Sequence, residues 1–207
     1  MAPLWIKICG LRTAGAVEAA AASGADAVGF VFHADSPRNL ALDVARDLQR
    51  AVPAGVERVA VFLHPSQALV DAVLAAVAPD WVQTDAGDVD GLRLPPGQRV
   101  LPVLRSRRPV GGPLPARCLL ESARSGRGER ADWSVAAQLA RETQVVLAGG
   151  LDAASVVDAV REVRPFGVDV SSGVERERGV KDETLIREFI RAARDAERAL
   201  SVEESRR

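Results

Sequence analysis

The chain has 207 residues, 47% of them hydrophobic and 27% charged, which suits an ordinary soluble globular protein with a sizeable core. Lys and Arg (27) balance Asp and Glu (28) to a formal net charge of −1, and only 3 Trp and 5 Phe are available for stacking, which argues against a nucleic-acid or anionic-membrane partner. Two cysteines, Cys9 and Cys118, and two histidines, His33 and His64, are too few for a disulfide scaffold and lack the spacing of a metal cluster, while the start carries no export pattern and no apolar run approaches membrane-spanning length, so a reduced cytoplasm and no metal are expected.

The alternating run Leu4 to Cys9 predicts a strand with Ile6 and Ile8 on one face and Lys7 and Cys9 on the other. Thr13 is a fitting N-cap for an alanine-rich helix from Ala14 to Ser23, with Gly24 placed to end it. Asp26 to Phe32 reads as a second strand, followed by a polar loop from His33 to Asn39, so the opening is a βαβ unit. Arg58 to Leu63 is a third strand with a helix at Ser66 to Val77, and Asp80 to Thr84 a fourth, followed by a Gly/Asp-rich segment with room for little helix. Val100 to Leu104 is a fifth, and the Pro109 to Pro113 segment after it resists helix formation. Arg117 to Glu121 is a sixth, with a helix at Ser134 to Arg141; Gln144 to Ala148 is a seventh, followed by Gly149-Gly150 and a helix from Ala153 to Val163. Gly167 to Ser171 is the eighth, and an amphipathic helix, Glu183 to Ala199, closes the fold ahead of a charged tail of disorder-prone composition.

Eight short strands separated by helices or helix-length connections, at about 26 residues per unit, predict an α/β protein built as a single (β/α)8 TIM barrel over residues 1–200, with 201–207 as the tail. The rival, a doubly wound open sheet, wants a switch point, and no Gly-x-Gly-x-x-Gly follows the first strand. In a barrel the chemistry sits at the C-terminal strand ends, which selects Cys9, Arg38, Gln83 with Asp85, Glu121, Gly149, Gly150 and the run Asp169 to Gly173.

Val168 and Val170 suit a helix-covered face, whereas Asp169 and Ser171 alternate onto the other, and Ser171-Ser172-Gly173 lets backbone N–H groups approach a ligand. Together with Gly149-Gly150 after the seventh strand this predicts a site for a small phosphorylated molecule. Cys9 shares its face with Lys7, a cation that would favour the thiolate, and Glu121 ends the sixth strand across the cavity. An acid and a base so placed suit proton transfer more than hydrolysis. Cys118, by parity, faces the helices.

Lys7-Ile8-Cys9-Gly10, the run from Gly24 to Phe32 with Ser36 and Arg38, Ala148-Gly149-Gly150-Leu151, and Gly167 to Glu175 followed by Gly179, Lys181 and Asp182 resemble the phosphoribosylanthranilate isomerase family over nearly the whole chain. The resemblance implies a cofactor-free (β/α)8 isomerase of tryptophan biosynthesis that carries out an Amadori rearrangement of N-(5′-phosphoribosyl)anthranilate. It implies Cys9 as the base, Glu121 as the acid, Arg38 as the partner of the anthranilate carboxylate, Asp169 near the sugar, and Gly149, Gly150, Ser171, Ser172 and Gly173 as the phosphate cradle. Lys7, Gln83 and Asp85 join the substrate-binding set, and the working unit is a monomer or a homodimer.

Three departures from the family pattern stand out. Leu119-Leu120-Glu121 replaces the usual Leu-Leu-Asp, lengthening the acid by one methylene. Val82-Gln83-Thr84-Asp85-Ala86-Gly87 has a carboxylate where the family has histidine, an anion expected to raise the pKa of a nearby acid or to repel an anionic substrate. Ser125-Gly126-Arg127-Gly128, ahead of Asp132-Trp133, replaces a Gly-Gly-Thr-Gly loop. These changes leave two further readings, a related aminoaldose to aminoketose isomerase with another aglycone, and a catalytically silent barrel that binds a phosphorylated metabolite or a partner protein.

Overall fold

The computed structural model describes residues 3–105, 113–122 and 130–206. Most of the segment from Pro109 to Pro113, and the loop Ser125 to Gly128, lie outside the described residues. Eight parallel strands pair in sequence order and close, the last against the first: β1 (Trp5–Cys9), β2 (Ala27–Phe32), β3 (Glu57–Phe62), β4 (Trp81–Asp85), β5 (Arg99–Arg105), β6 (Arg117–Glu121), β7 (Gln144–Leu147) and β8 (Gly167–Val170). Closure is made by Trp5, Ile6, Lys7 and Ile8 in register with Gly167, Val168, Asp169 and Val170. The expected (β/α)8 barrel is therefore the fold, and the open sheet is excluded.

Strand alternation divides the core in two. Ile6, Ile8, Val28, Phe30, Val82, Cys118, Leu120, Leu147, Val168 and Val170 lie under the helices, whereas Trp5, Ala27, Val59, Trp81, Leu101, Leu119 and Val146 fill the barrel axis. Each large side chain so buried contributes about 1.5–3 kcal/mol. Cys118 is on the helix side, as its parity requires, where burial pushes its thiol up to about 11.

The helices are α1 (Ala14–Ala22), α2 (Leu42–Leu48), α3 (Gln67–Val77), the single turn α4 (Ala86–Val89), α5 (Trp133–Leu139), α6 (Ser155–Val163) and α7 (Glu183–Ser205). Thr13, Ser66, Asp132 and Asp182 cap α1, α3, α5 and α7 by accepting backbone N–H bonds, the local reason those helices start where they do. Sequence pattern predicts no helix after β2, because α2 is short and has no side-chain cap bond. The terminal helix also runs six residues beyond Ala199, so Ser201 to Ser205 of the expected tail are helical. There the Glu204 carboxylate meets Arg164 at 2.8 Å.

The N-terminal mouth is plugged. Trp5 and Trp81 each donate their indole N–H to Glu57 Oε2 at 3.0 Å, Arg99 holds Oε1 at 2.6 Å, and the Arg117 guanidinium lies over Phe166, Trp81 and Trp5. With that end closed by a packed polar and aromatic layer, the cavity opens at the other.

Candidate active site at the C-terminal mouth

A cavity of about 320 Å3 occupies the C-terminal end of the barrel. Cys9, Arg38, Gln83, Glu121, Gly149, Gly150, Asp169, Ser171 and Ser172 line it, as expected from sequence, together with Ala148, Arg105 and Arg178. Lys7, Asp85 and Gly173 do not reach its wall.

Lys7 is fully buried one inward position below Cys9 and donates to Asp169 Oδ1 at 2.8 Å. Burial, the largest influence on its ammonium, opposes the charge, but Asp169 and Cys9 outweigh it and the pKa lies above the ordinary lysine value. The cation expected beside Cys9 is thus present, yet it does not prevail at the thiol. Burial pushes Cys9 up, Asp169 adds to that, and Lys7 and Lys181 only partly oppose them, so the resting form is the thiol. Gly29, in register with Cys9, makes the space: a Cβ there would stand 3.0 Å from Cys9 Sγ and 3.1 Å from Lys7 Cε.

Arg38 is reached through a turn. Gly10 has φ +76° and its N–H donates to Gly29 O at 2.8 Å; a Cβ on Gly10 would lie 2.6 Å from Arg38 Cδ. Arg38 is buried, with Nε and Nη2 on the two oxygens of Glu175 at 2.7 and 2.9 Å. Among the described residues its Nη1 has no protein acceptor, so one nitrogen of the fork is left for a ligand. Glu175 opens a small antiparallel hairpin, β9 (Glu175–Glu177) and β10 (Val180–Lys181), that sequence pattern does not reveal. It also accepts from Lys181 Nζ at 2.7 Å and from Gly179 N at 3.0 Å. Burial, the largest influence, pushes this carboxyl up, but Arg38, Lys181 and Gly179 together bring it down to about 2. Lys181 continues to Ser171 O at 2.8 Å, and Ser171 Oγ donates to Cys9 O at 3.2 Å, tying the hairpin to the ends of β8 and β1.

Gly149 and Gly150 have φ +86° and +66°, a left-handed pair only glycine adopts without strain. No described residue accepts from their N–H groups. A short 3-10 turn, Ser172–Val174, faces them from the end of β8. Gly173 lies behind the cavity wall because its place is against the neighbouring loop: a Cβ there would lie 1.9 Å from Leu151 O. Its contribution is to let the two glycine-bearing loops meet, which is what makes one cradle of them.

Across the cavity, Arg105 stands between the two acidic positions where the chain departs from the family pattern. Its Nε and Nη2 meet Asp85 Oδ2 and Oδ1 at 3.0 and 2.5 Å, and its Nη1 pairs with Glu121. A shared guanidinium thus stands between Asp85 and Glu121, a group that sequence pattern does not place there. Burial, the largest influence on Arg105, opposes its charge, and the two carboxylates outweigh it and raise its pKa. Behind Asp85, Asp88 takes Thr84 Oγ1 at 2.7 Å and His64 Nδ1 at 2.9 Å. Arg105 carries the parity of Leu101 and Val103; a fifth strand drawn one residue longer includes it. Among the described residues no three His, Cys, Asp or Glu side chains are grouped to hold a metal ion, and no helix is long and apolar enough to cross a membrane.

Similarity to known proteins agrees with this arrangement. The family model for N-(5′-phosphoribosyl)anthranilate isomerase matches residues 6–87 and 114–192. The N-(5′-phosphoribosyl)anthranilate isomerase of Pseudomonas paraeruginosa is 40% identical over 202 residues, covering 91% of this chain and 94% of that protein. Among solved structures, TrpF from Jonesia denitrificans superposes with a TM-score of 0.79 at 32% identity, covering 94% of this chain and 98% of that one. A phosphoribosylanthranilate isomerase in complex with reduced 1-(o-carboxyphenylamino)-1-deoxyribulose 5-phosphate superposes with a TM-score of 0.74 at 28% identity, covering 93% and 100%. With the family model matching most of the chain and a relative 40% identical over 91% of it, the chain belongs to the N-(5′-phosphoribosyl)anthranilate isomerase family.

Proposed function

We propose that the chain converts N-(5′-phosphoribosyl)anthranilate to 1-(2-carboxyphenylamino)-1-deoxyribulose 5-phosphate, in the cytoplasm, as a monomer or homodimer and without a cofactor. The observation that carries this reading is the convergence on one cavity of a buried thiol, a carboxyl group and two facing glycine loops. A phosphate binder alone needs neither Cys9 nor Glu121.

The substrate phosphate enters the cradle of Gly149, Gly150, Ser171 and Ser172, and the sugar then lies across the mouth toward β4 and β6. Glu121 enters the step as the carboxylic acid, gives its proton to the ring oxygen and is left as the carboxylate that Arg105 Nη1 holds; the C1′–O bond breaks as the nitrogen lone pair forms a C1′=N bond, leaving an open-chain iminium. Cys9, as thiolate, takes the proton from C2′; the C–H pair becomes C1′=C2′ and the C=N pair returns to nitrogen. The resulting enaminol takes a proton at C1′ and gives up the one on its C2′ hydroxyl, yielding the ketose. Asp169 holds Lys7 beside the thiol, and that ammonium is what makes the buried thiolate accessible. Arg38 Nη1 meets the aglycone carboxylate, with Glu175 fixing the guanidinium plane.

Consumption of phosphoribosylanthranilate by purified protein, followed by the loss of its fluorescence, tests the reading. Turnover is expected in the unmodified protein, with Cys9→Ala and Glu121→Ala reduced by about 100-fold or more. An inactive unmodified protein overturns the activity, and a fully active Glu121→Ala overturns that residue's role as acid.

A further inference from the structure

Gln83 is polar, 6% exposed, and lines the cavity. Its Oε1 is buried with no donor, and among the described residues its Nε2 has no acceptor, so turning the amide about its last bond to bring the carbonyl to the cavity gives up no partner. Its register neighbours in the sheet are Val61 on β3 and Leu101 on β5, and neither side chain has a group to offer. A protein interior does not leave an amide in that condition unless another molecule supplies the partner.

Gln83 stands on β4, half-way round the barrel from β8. With the phosphate held by the loops after β7 and β8, the β4 wall meets the substrate at its other end, where the sugar joins the aglycone. The donor at that junction is the N–H that links C1′ to the aromatic ring. We propose, resting on the isomerase reading, that Gln83 is a catalytic hydrogen-bond acceptor for this N–H, and that it acts chiefly on the iminium. In the ground state the N–H is neutral; after ring opening it carries positive charge, and it becomes neutral again when C2′ loses its proton. A fixed carbonyl dipole in a desolvated site therefore stabilises the intermediate more than the substrate. The acceptor is also uncharged, which matters: a carboxylate in its place would remove the N–H proton and give the neutral imine, a poorer sink for the C2′–H electron pair.

Gln83→Met keeps length and volume while deleting the acceptor. Its kcat is expected to fall about 10- to 100-fold while KM changes less than about threefold. Affinity for the reduced 1-(o-carboxyphenylamino)-1-deoxyribulose 5-phosphate, a neutral amine, is expected to hold. Because Met removes an unpaired buried amide, the Tm of the free protein is expected to stay level or rise, the reverse of what a structural glutamine would give. Gln83→Asn, which withdraws the acceptor by one methylene, is expected to lose kcat without the gain in Tm. Wild-type kcat in Gln83→Met, a loss confined to KM, or a loss matched by a lower Tm in both variants overturns the assignment while leaving the isomerase activity standing. A wild-type protein that does not consume phosphoribosylanthranilate overturns both.

Discussion

Arg38 and Glu175 meet fork to fork from opposite ends of the chain, Nε on Oε1 at 2.7 Å and Nη2 on Oε2 at 2.9 Å, and so lock the loop after β2 to the hairpin after β8. Glu175 also receives Lys181, which makes it one carboxylate serving two nearly buried cations. Its pKa of about 2, against about 4.3 unfolded, contributes about 3 kcal/mol at pH 7. Because the folded value is the lower one, that contribution is complete above the unfolded pKa and disappears as pH falls toward 2. Glu175→Gln should therefore be destabilised by about that amount at pH 7. Urea unfolding at pH 7 and at pH 2.5 checks it: the gap between wild type and variant should narrow in acid, and a constant gap would refute the assignment.

Glu57 at the opposite mouth serves stability alone. Glu57→Ala leaves two indole N–H groups without their acceptor and Arg99 without its closest carboxylate. A loss of about 2 kcal/mol is expected, given that Arg99 is itself half exposed. The cavity lies at the far end of the strands, so kcat should be unchanged in the protein that remains folded. A fall in kcat without a fall in Tm would contradict this division of the barrel.

That division is legible in the sequence, and the reason is periodicity. Cys9, Asp169 and Cys118 take their faces from strand parity and Glu121 its place from ending the sixth strand, and closure of the barrel preserves both. What the pattern does not carry is whatever depends on contacts between distant segments. Glu175 lies inside a motif that the sequence displays, but its bond to Arg38 spans 137 positions of the chain. Arg105 falls outside a fifth strand that ends one residue early, and with it goes the guanidinium that separates Asp85 from Glu121. The ionisation of Cys9 differs from expectation for another reason. A cation two positions away is visible in a sequence, whereas the desolvation that outweighs it exists only in the folded barrel.

Gly29→Ala tests how tightly the Cys9 wall is built. The added methyl falls 3.0 Å from Cys9 Sγ and 3.1 Å from Cys9 Cα and Lys7 Cε, and the Cα belongs to backbone fixed by the β1–β2 ladder. Sulfur and the lysine stem must give way, which costs about 1–3 kcal/mol. Proton transfer depends on placement, so kcat should fall by about tenfold or more. Circular dichroism with steady-state rates separates the two effects; a stable variant of wild-type activity would mean that Cys9 tolerates displacement and is not the base.

The pH profile gives the most direct check on Cys9 and on the pair beneath it. With Cys9 as the proposed base, only its thiolate takes the C2′ proton, and kcat/KM is expected to rise with pH through the ionisation of Cys9. Burial places that rise above the ordinary cysteine range, Asp169 pushes it further, and Lys7 and Lys181 pull it back. Asp169→Asn deletes the anion that pushes the thiol up, while Cys9 itself, on becoming a thiolate, still favours the Lys7 ammonium, and the net change favours the thiolate. The ascending limb should then move to lower pH, even though the maximum rate falls through the loss of a residue on the cavity wall. Lys7→Met removes the cation while keeping the anion, and its limb should move to higher pH. Opposite displacements from the two halves of one ion pair are what an electrostatic role requires. Displacement in the same direction, or none, would mean that the limb belongs to another group.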